Sequence, residues 1–187
     1  MTGPAPEKDD SRFQASTVPS RPVAEDVVEL ETEVPGLIVR EHTSSDAGAY
    51  YELVQANRDH LTRHGDYSEL VASTREETER RFASPASADV RCGIWKDNRL
   101  IGHMTLVHGE PPRWGLGFWI SEDASGRGFM TASLTALLEY ARSELGASEV
   151  LAGVAHGNHR SSAVLGRLGF VPIAHFPTYT RYQLVLA

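Results

Sequence analysis

The pattern of apolar and polar positions predicts where the helices and strands of this chain lie. The longest helical pattern covers residues 127–145, where the apolar positions are spaced i, i+3, i+4, i+7 and i+11 and therefore share one helix face. These positions are Leu134, Leu137, Leu138, Ala141 and Leu145. The uninterrupted apolar run at residues 150–155 is typical of a strand covered on both faces.

Shorter patterns predict the remaining elements. Thr74 and Glu77 match the capping box of a helix that ends near Phe82, and Ser45-Asp46 fits the start of an earlier helix. Strand-like runs cover residues 37–39, 90–95, 99–107, 113–120, 170–174 and 178–186. The order of these elements predicts an α/β (α+β) fold, in which helices flank a mixed, mostly antiparallel central sheet of about six or seven strands.

Negative charge is concentrated at the start of the chain. The 187 residues carry a net charge of -7, and residues 1–33 contain eight acidic and three basic residues. This segment also has four prolines and little apolar periodicity, so it lacks the apolar surface needed to order itself. We therefore expect a flexible acidic arm at residues 1–33 and a single domain at residues 34–187. The arm is either an inert tail or an element that binds a partner or wraps around a second subunit.

Composition restricts the compartment and the partners. The one cysteine, Cys92, excludes a disulfide framework and fits a reducing cytoplasm. The first residues show no basic and apolar secretory pattern, and no run approaches the length of a membrane span. An acidic chain is a poor sequence-independent binder of nucleic acid. We expect a cytoplasmic protein without a nucleic-acid or membrane partner.

A glycine-rich run joins the strand at residues 113–120 to the long helix. It reads Ser125-Gly126-Arg127-Gly128-Phe129-Met130-Thr131. Its glycines allow the backbone to approach a ligand closely, and the free N–H groups of the following helical turn suit a pyrophosphate. Arg127 could add a charge-assisted contact to a phosphate. Taken alone, such a run is more often only a turn.

A second polar motif follows the apolar strand. Asn158 and Ser161 open the next helix, which Gly169-Phe170 ends. Taken alone, Asn158 is more often a helix cap and Ser161 a solvated hydroxyl.

The order of these motifs resembles the GNAT superfamily of acetyl-CoA-dependent N-acetyltransferases. Within it, the chain is similar to the RimJ/RimL branch of ribosomal-protein N-terminal acetyltransferases, over about residues 37–186. The strand Leu116-Gly117-Phe118-Trp119-Ile120 and the helix at residues 53–61 carry further similarity. The resemblance implies a splay between the fourth and fifth strands of the sheet. It also implies acetyl-CoA as cosubstrate and no metal.

The resemblance assigns roles to the motif residues. The backbone of residues 126–130 would hold the CoA pyrophosphate, with Ser125 and Thr131 flanking it. The backbone of Phe118, Trp119 and Ile120 would pair with the pantetheine arm, and an N–H of this strand would stabilise the developing oxyanion. Asn158 would bind pantetheine, and Ser161 would hydrogen-bond the leaving thiolate. The amine would attack directly, without an acyl-enzyme.

The general base is not evident from the sequence. Relatives often carry a glutamate where this chain has Gly115, and Asp123 places an acid near the expected pyrophosphate site. Histidine can accept a proton at neutral pH. His156 is the first candidate because it follows the apolar strand, and His108 and His175 are alternatives. A water relay, or an amine that arrives already neutral, remains open.

We expect the acceptor pocket between the first two helices and the late strands. Acidic side chains could receive a cationic amine and aromatic rings would shape the slot, although such loop residues are more often merely exposed. The candidates are His60, His64, Asp66, Tyr67, His108, His175 and Tyr179. His60 and His64 have the spacing of two metal ligands, but no clear third ligand accompanies them, so we expect no metal.

The expected function is acetyl transfer from acetyl-CoA to a primary amine, either a protein N-terminus or a small molecule. One alternative is a tailoring or self-resistance acetyltransferase for an amine-bearing natural product. Another is a non-catalytic module that senses acyl-CoA. Homodimers are common in the family, and the expectation of a homodimer rests on that resemblance alone.

Overall fold

The computed structural model describes residues 28–84, 89–110 and 112–186. The strands are β1 Glu29–Glu31, β2 Leu37–Glu41, β3 Val90–Lys96, β4 Arg99–His108, β5 Arg113–Ile120, β6 Glu149–Ala155, β7 Val171–His175 and β8 Tyr179–Val185. The helices are α1 Ala47–Ala56, α2 Arg58–Thr62, α3 Ser68–Ala72, α4 Arg75–Ala83, α5 Phe129–Ser143 and α6 His159–Arg167.

The strands form one sheet in the order β1-β2-β3-β4-β5-β6-β8-β7. All neighbouring strands are antiparallel except β5 and β6, which are parallel and are connected through α5. The predicted mixed, mostly antiparallel sheet flanked by helices is confirmed. The described residues form eight strands, however, rather than six or seven.

The additional strand, β1, lies inside the segment predicted as an arm. It pairs with β2 from Glu29 opposite Arg40 to Glu31 opposite Ile38. Val28 is buried and Leu30 packs against the main core, so this short stretch has apolar surface that orders it. The sheet therefore includes residues that precede the expected boundary at residue 34. Residues 1–27 of the predicted arm lie outside the described residues.

The two faces of the sheet carry separate apolar clusters. On one face, Met104 and Leu116 of the central strands pack in one cluster with Leu137 of α5, as the helical stripe predicts. On the other face, Trp119 of β5 packs with Tyr50 of α1 and with residues of α2 and α3. Strand residues an odd number apart point to opposite faces, which is why Leu116 and Trp119 belong to different clusters.

The described residues between β2 and β3 form four α-helices, where the sequence predicts two. The start of α4 is as predicted: Thr74 Oγ1 accepts from the Glu77 N–H at 3.1 Å, and the Glu77 carboxylate accepts from the Thr74 N–H at 2.8 Å. The earlier helical pattern breaks at Asn57, where φ is -112°, and at Tyr67, where φ is +56°. At these two residues the chain changes direction. As a result, α2 and α3 lie across the end of β5, where Tyr67 contacts Phe118.

Strands β5 and β6 pair only over their first halves. The ladder joins residues 113–116 to residues 149–152 and then stops. Beyond it, the Tyr67 hydroxyl donates to the Phe118 carbonyl at 2.8 Å. The predicted splay is therefore present. It separates β5 from β6, the fourth and fifth strands when β1 is not counted.

Candidate active site

The backbone of β5 presents unpaired groups to the gap between the parted strands. The Ser121 N–H donates to the Ile101 carbonyl, at the start of β4, at 2.8 Å. Since the backbone groups of successive strand residues point to opposite neighbours, Trp119 also faces β4. The N–H groups of Phe118 and Ile120 consequently face the gap. Of the three residues expected to pair with pantetheine, these two are turned towards it.

The loop after β5 leaves the start of α5 without a side-chain cap. Gly126 and Gly128 have φ values of +76° and +80°, a left-handed backbone that favours glycine. Chain neighbours apart, no atom of the described residues lies within 4 Å of the place where a Cβ would stand on either residue. The first helical hydrogen bond runs from the Ala132 N–H to the Gly128 carbonyl at 3.0 Å, so the N–H groups up to Thr131 lack a partner within the helix. At the end of a 15-residue helix, these groups form an anion site.

Most side chains of the glycine-rich run contact other parts of the protein rather than the gap. The Ser125 hydroxyl donates to the Ser121 carbonyl at 3.0 Å. Met130 is buried, and Phe129 packs against the main core. Arg127 is exposed. The run therefore offers a ligand its backbone amides and one cationic side chain.

Asp123 has a cationic partner of its own. Its carboxylate accepts from the Ser121 hydroxyl at 2.6 Å and from the Arg99 guanidinium at 2.6 Å. The hydrogen bonds from Ser121 and Arg99 lower the pKa of Asp123. The acid that the sequence places near the expected pyrophosphate site is therefore ionised and paired with Arg99.

The other wall of the gap is the turn from β6 into α6. Asn158 caps α6, because its Oδ1 accepts from the Ser161 N–H at 3.2 Å. This bond uses the oxygen of the Asn158 amide, whose NH₂ group donates to the Asp66 carboxylate. The Ser161 side chain is half-buried, and its hydroxyl has no hydrogen bond to the described part of the chain. The neighbouring Ser162 accepts from the Tyr182 hydroxyl of β8 at 3.1 Å, which holds α6 against the sheet.

The stretch from α2 to α3 spans the open end of the gap. Tyr67 bonds Phe118 of β5, and His64 Nδ1 lies 3.7 Å from the place of a Cβ on Gly157, after β6. Between these two contacts lies Asp66, whose pKa is raised by burial against the opposing effects of His64 and the Asn158 amide. Burial likewise raises the pKa of Tyr67. Three of the predicted acceptor residues thus bridge the two strands.

His60 lies in the same stretch but points at the loop after β5. Its Nδ1 atom is 3.8 Å from the Glu122 carboxylate, which also binds Arg63 at 2.9 Å. The pKa of His60 is lowered, chiefly by burial. His60 therefore contacts the turn that leads into the glycine-rich run.

Two predicted histidines lie away from the gap. His108 pairs with Trp114 at the start of β5, which is about 20 Å from Ile120 at roughly 3.3 Å per strand residue. His175 lies on β7, at the edge of the sheet, and its Nδ1 atom is 3.0 Å from Thr180 Oγ1 of β8. The structure does not bring either residue to the parted strands.

His156 and Tyr179 lie near the end of β6. The His156 N–H donates to the Thr178 carbonyl at 3.0 Å, and the His156 side chain is exposed. Tyr179 is paired with Ala155, and its ring lies 3.2 Å from the place of a Cβ on Gly153. Tyr179 therefore covers the end of β6, whereas His156 is open to solvent.

The sequence does not single out a half-buried pair of histidines. His42 Nε2 is 3.0 Å from His103 Nδ1, and His103 Nε2 is 2.7 Å from Thr105 Oγ1. Burial lowers the pKa of His42 to about 4 and the pKa of His103 well below its usual value. His103 and Thr105 share a face of β4, which the sequence could show. His42 reaches them only through long-range strand pairing.

The ranges 28–84, 89–110 and 112–186 contain no group of three or more His, Cys, Asp or Glu side chains that could hold a metal ion. In these ranges there is also no helix with the length and apolar character needed to cross a membrane.

The gap between β5 and β6 can hold an extended, amide-bearing chain, and the uncapped start of α5 beside it can bind phosphate. Such a combination defines an acyltransferase that uses a nucleotide-bearing thioester. Residues 36–171 match the family model described as acetyltransferase (GNAT) domain. The chain therefore belongs to the GNAT acetyltransferase family, as the sequence motifs indicate.

Three proteins that are similar to this chain are named acetyltransferases. The chain is 28% identical over 144 residues to the probable N-acetyltransferase YjcK of Bacillus subtilis, which covers 72% of this chain and 80% of YjcK. It is 32% identical over 84 residues to the putative ribosomal N-acetyltransferase YdaF of Bacillus subtilis, over 44% of this chain and 46% of YdaF. The match thus spans about half the length of YdaF. RimL, a ribosomal α-N-protein acetyltransferase solved in complex with coenzyme A, shares the fold with a TM-score of 0.75 and 22% identity, over 84% of this chain and 98% of RimL.

Proposed function

We propose that this chain transfers an acetyl group from acetyl-CoA to a primary amine, by direct attack in a ternary complex. The observation that carries the proposal is the geometry of β5: it parts from β6 at the point where its own loop leads into the uncapped start of α5. One extended ligand with phosphates at one end and amides along its length fits both features.

The residues fit the parts of the donor. The N–H groups from Gly126 to Thr131 would hold the pyrophosphate, and Arg127 would add a cation. The N–H groups of Phe118 and Ile120 face the gap and would bind the amide-bearing pantetheine arm. The Asn158 NH₂ group, one N–H of which bonds Asp66, would offer its other N–H to the same arm from the β6 side. When bound, the donor supplies a thioester whose acetyl carbon accepts the amine.

The strand also offers an oxyanion donor. We place this role on the Phe118 or Ile120 N–H rather than on Trp119, because the Trp119 backbone faces β4. Loss of one such donor typically lowers the rate about 10²–10³-fold. Ser161 would donate its unpaired hydroxyl to the leaving thiolate. Since a thiolate is already a fair leaving group, Ser161→Ala should slow turnover without abolishing it.

The acceptor would enter on the face of the sheet that carries α1. Gly117 presents no side chain there, and within the described part of the chain no atom beyond its chain neighbours lies within 4 Å of the place of its missing Cβ. Asp66 and Tyr67 lie at the end of the gap, where they could contact an incoming amine. Since similar proteins are named ribosomal N-acetyltransferases, a protein N-terminus is the acceptor we propose first, and a small-molecule amine is the second.

A thiol-release assay with a panel of amines tests the proposal. The panel contains short peptides with free N-termini, the same peptides with blocked N-termini, and aminoglycosides. We expect acetyl-CoA-dependent release of CoA with at least one free amine and none with the blocked peptides. Saturable binding of acetyl-CoA without acetylation of any amine would instead favour the non-catalytic sensing module.

A further inference from the structure

A cavity lies beside the place where we expect the acceptor amine. It has a volume of about 320 Å³ and lies between α4 and the strands β2, β3 and β4. Four of the residues that line it carry charge, namely Glu41, Arg81, Asp89 and Arg91. At about 30 Å³ for each water molecule, the cavity has room for about ten waters, or for one side chain of a ligand.

One row of residues across the sheet joins this cavity to the gap. Arg91 of β3 is paired with Thr105 of β4, and Thr105 is paired with Gly117 of β5. Trp119 packs against α1, so Gly117, two residues earlier on the same strand, also faces the α1 side. Its partners in the row, Thr105 and Arg91, face that side too. Since neighbouring strands lie about 4.8 Å apart, the Cα atoms of Arg91 and Gly117 are roughly 10 Å apart.

The acids and the cations of the cavity differ in their partners. Each acid accepts from a backbone N–H, Glu41 at 3.5 Å and Asp89 at 3.0 Å. The guanidinium groups of Arg81 and Arg91 have no hydrogen bond or ion pair to any residue within 28–84, 89–110 and 112–186. Among the described residues, the charge that still needs a partner in this cavity is therefore positive.

The uncharged wall of the cavity is influenced by both cations. Burial raises the pKa of the Tyr50 hydroxyl, and Arg81 and Arg91 oppose this rise. Burial lowers the pKa of His103 well below its usual value, and the same two arginines lower it further. His103 is therefore neutral near pH 7. The inner part of the cavity thus combines two cations with neutral polar side chains, which is the chemistry of a site for an anionic group.

We propose that this cavity binds a carboxylate of the acceptor, so that the enzyme favours peptides with Asp or Glu as their first or second residue. This inference rests on the proposed function and names the acceptor class of the same site. Two extended residues span about 7 Å, so a carboxylate on either can extend from an amine above Gly117 towards the guanidinium of Arg91.

The two arginines would contribute differently. Arg91 is half-buried and keeps surface that a ligand can contact, so its guanidinium would hold the carboxylate through charge-assisted hydrogen bonds. The Nη2 atom of Arg81 is buried, and this residue would therefore act mainly through its charge. Thr105 is also half-buried and lies between Arg91 and Gly117, along the path that the acidic side chain would follow.

Peptide pairs that differ only in one charge test the pocket. In one pair the first residue is Glu or Gln, and in the other pair the second residue is Glu or Gln. For at least one pair, we expect the wild-type kcat/KM to be about 10-fold or more higher for the Glu peptide, the usual effect of a hydrogen bond to a charged group. Arg91→Met should bring this ratio close to one by slowing the Glu peptide. The KM for acetyl-CoA should stay the same.

Further variants separate recognition of the carboxylate from a structural role. Arg81→Met should lower the preference in part, and Arg91→Lys, which keeps the charge, should retain part of it. The control is Arg80→Met, the same substitution at the neighbouring exposed position of α4, which should leave the ratio unchanged. Thermal unfolding shows which variants are folded, and the Glu-to-Gln ratio within one variant is independent of how much folded enzyme is present.

Binding of the acetylated products tests the pocket without turnover. Calorimetric titration in the presence of CoA compares peptides that begin with N-acetyl-Glu and N-acetyl-Gln, together with the pair that differs at the second residue. We expect tighter binding of the Glu member of the preferred pair to the wild type, and equal binding of both members to Arg91→Met. A wild-type chain that acetylates no amine would overturn the proposed function, and the pocket would then be judged by this binding alone.

Three results would overturn the carboxylate pocket and leave acetyl transfer intact. The first is equal kcat/KM for the Glu and Gln peptides of both pairs in the wild type. The second is a preference for Glu that persists in Arg91→Met. The third is faster acetylation of matched peptides with Lys in place of Glu, because the cavity would then select a cation through Glu41 and Asp89.

Discussion

At the scale of single residues, burial divides the histidines of this chain into two kinds. His156 and His175 are exposed, whereas His42 and His103 are half-buried and have lowered pKa values. Sequence reasoning favoured His156, because its place after an apolar strand is visible locally. The contact between His42 and His103 depends on the registers of β2, β3 and β4, and no local pattern gives a register.

The lowered pKa of His42 predicts a loss of stability in mild acid. Its pKa is about 4 in the folded chain and 6.5 in the unfolded chain, so only the unfolded state binds the proton between these values. The stabilising contribution is complete above pH 6.5 and is lost as the pH falls to about 4. At 1.36 kcal/mol per pKa unit, the loss is roughly 3 kcal/mol of unfolding free energy.

Urea unfolding between pH 7 and pH 4 measures this effect. The wild-type chain should lose more stability over this interval than His42→Gln, which has no ring to protonate. Parallel pH dependences for the two proteins would show that His42 does not titrate in this way.

At the scale of elements, the start of α5 is the part that the sequence predicted best. The apolar stripe and the glycines on either side of Arg127 are adjacent in the chain, so the helix and its loop could both be read from local pattern. The contact of Tyr67 with Phe118 could not be read in this way, because it depends on a left-handed residue between two short helices.

A pair of glycine substitutions tests the role of the α5 start. Gly128→Ala forces an alanine into a left-handed backbone, at a cost of about 1–2 kcal/mol, and disturbs the amides that would hold the pyrophosphate. Gly146→Ala, beyond the other end of α5, has the same kind of backbone, with φ +63° and open space around it. Calorimetric titration with acetyl-CoA should show weaker binding for Gly128→Ala and unchanged binding for Gly146→Ala. If Gly128→Ala and Gly146→Ala bind acetyl-CoA with equal affinity, the CoA phosphates do not bind at the start of α5.

At the scale of the whole molecule, the motifs gave the family and the mostly antiparallel sheet correctly. They missed β1, since a charged segment with only a few apolar residues has no clear strand pattern. The resemblance implies the splay, but it does not imply the Tyr67 hydroxyl that donates to the Phe118 carbonyl there. Of the residues predicted to bind the acceptor, Asp66 and Tyr67 lie at the gap, whereas His108 and His175 do not, and the role of each stays a prediction.

Two truncations test where the domain begins. Removal of residues 1–27 leaves β1 in place, so we expect the melting temperature to change little. Removal of residues 1–33 takes away Val28 and Leu30 and should lower stability, by roughly 1.5–3 kcal/mol for each side chain that is fully buried. Thermal unfolding compares the two proteins. Equal melting temperatures would mean that β1 contributes nothing to the fold.

Amide hydrogen exchange with and without acetyl-CoA tests the central claim most directly. The account predicts that acetyl-CoA slows exchange at the N–H groups of Phe118 and Ile120 and at those from Gly126 to Thr131. The amides of β7, on the far edge of the sheet, should exchange as before. Slower exchange confined to other parts of the chain, or no change at saturating acetyl-CoA, would contradict the placement of the donor between β5 and β6.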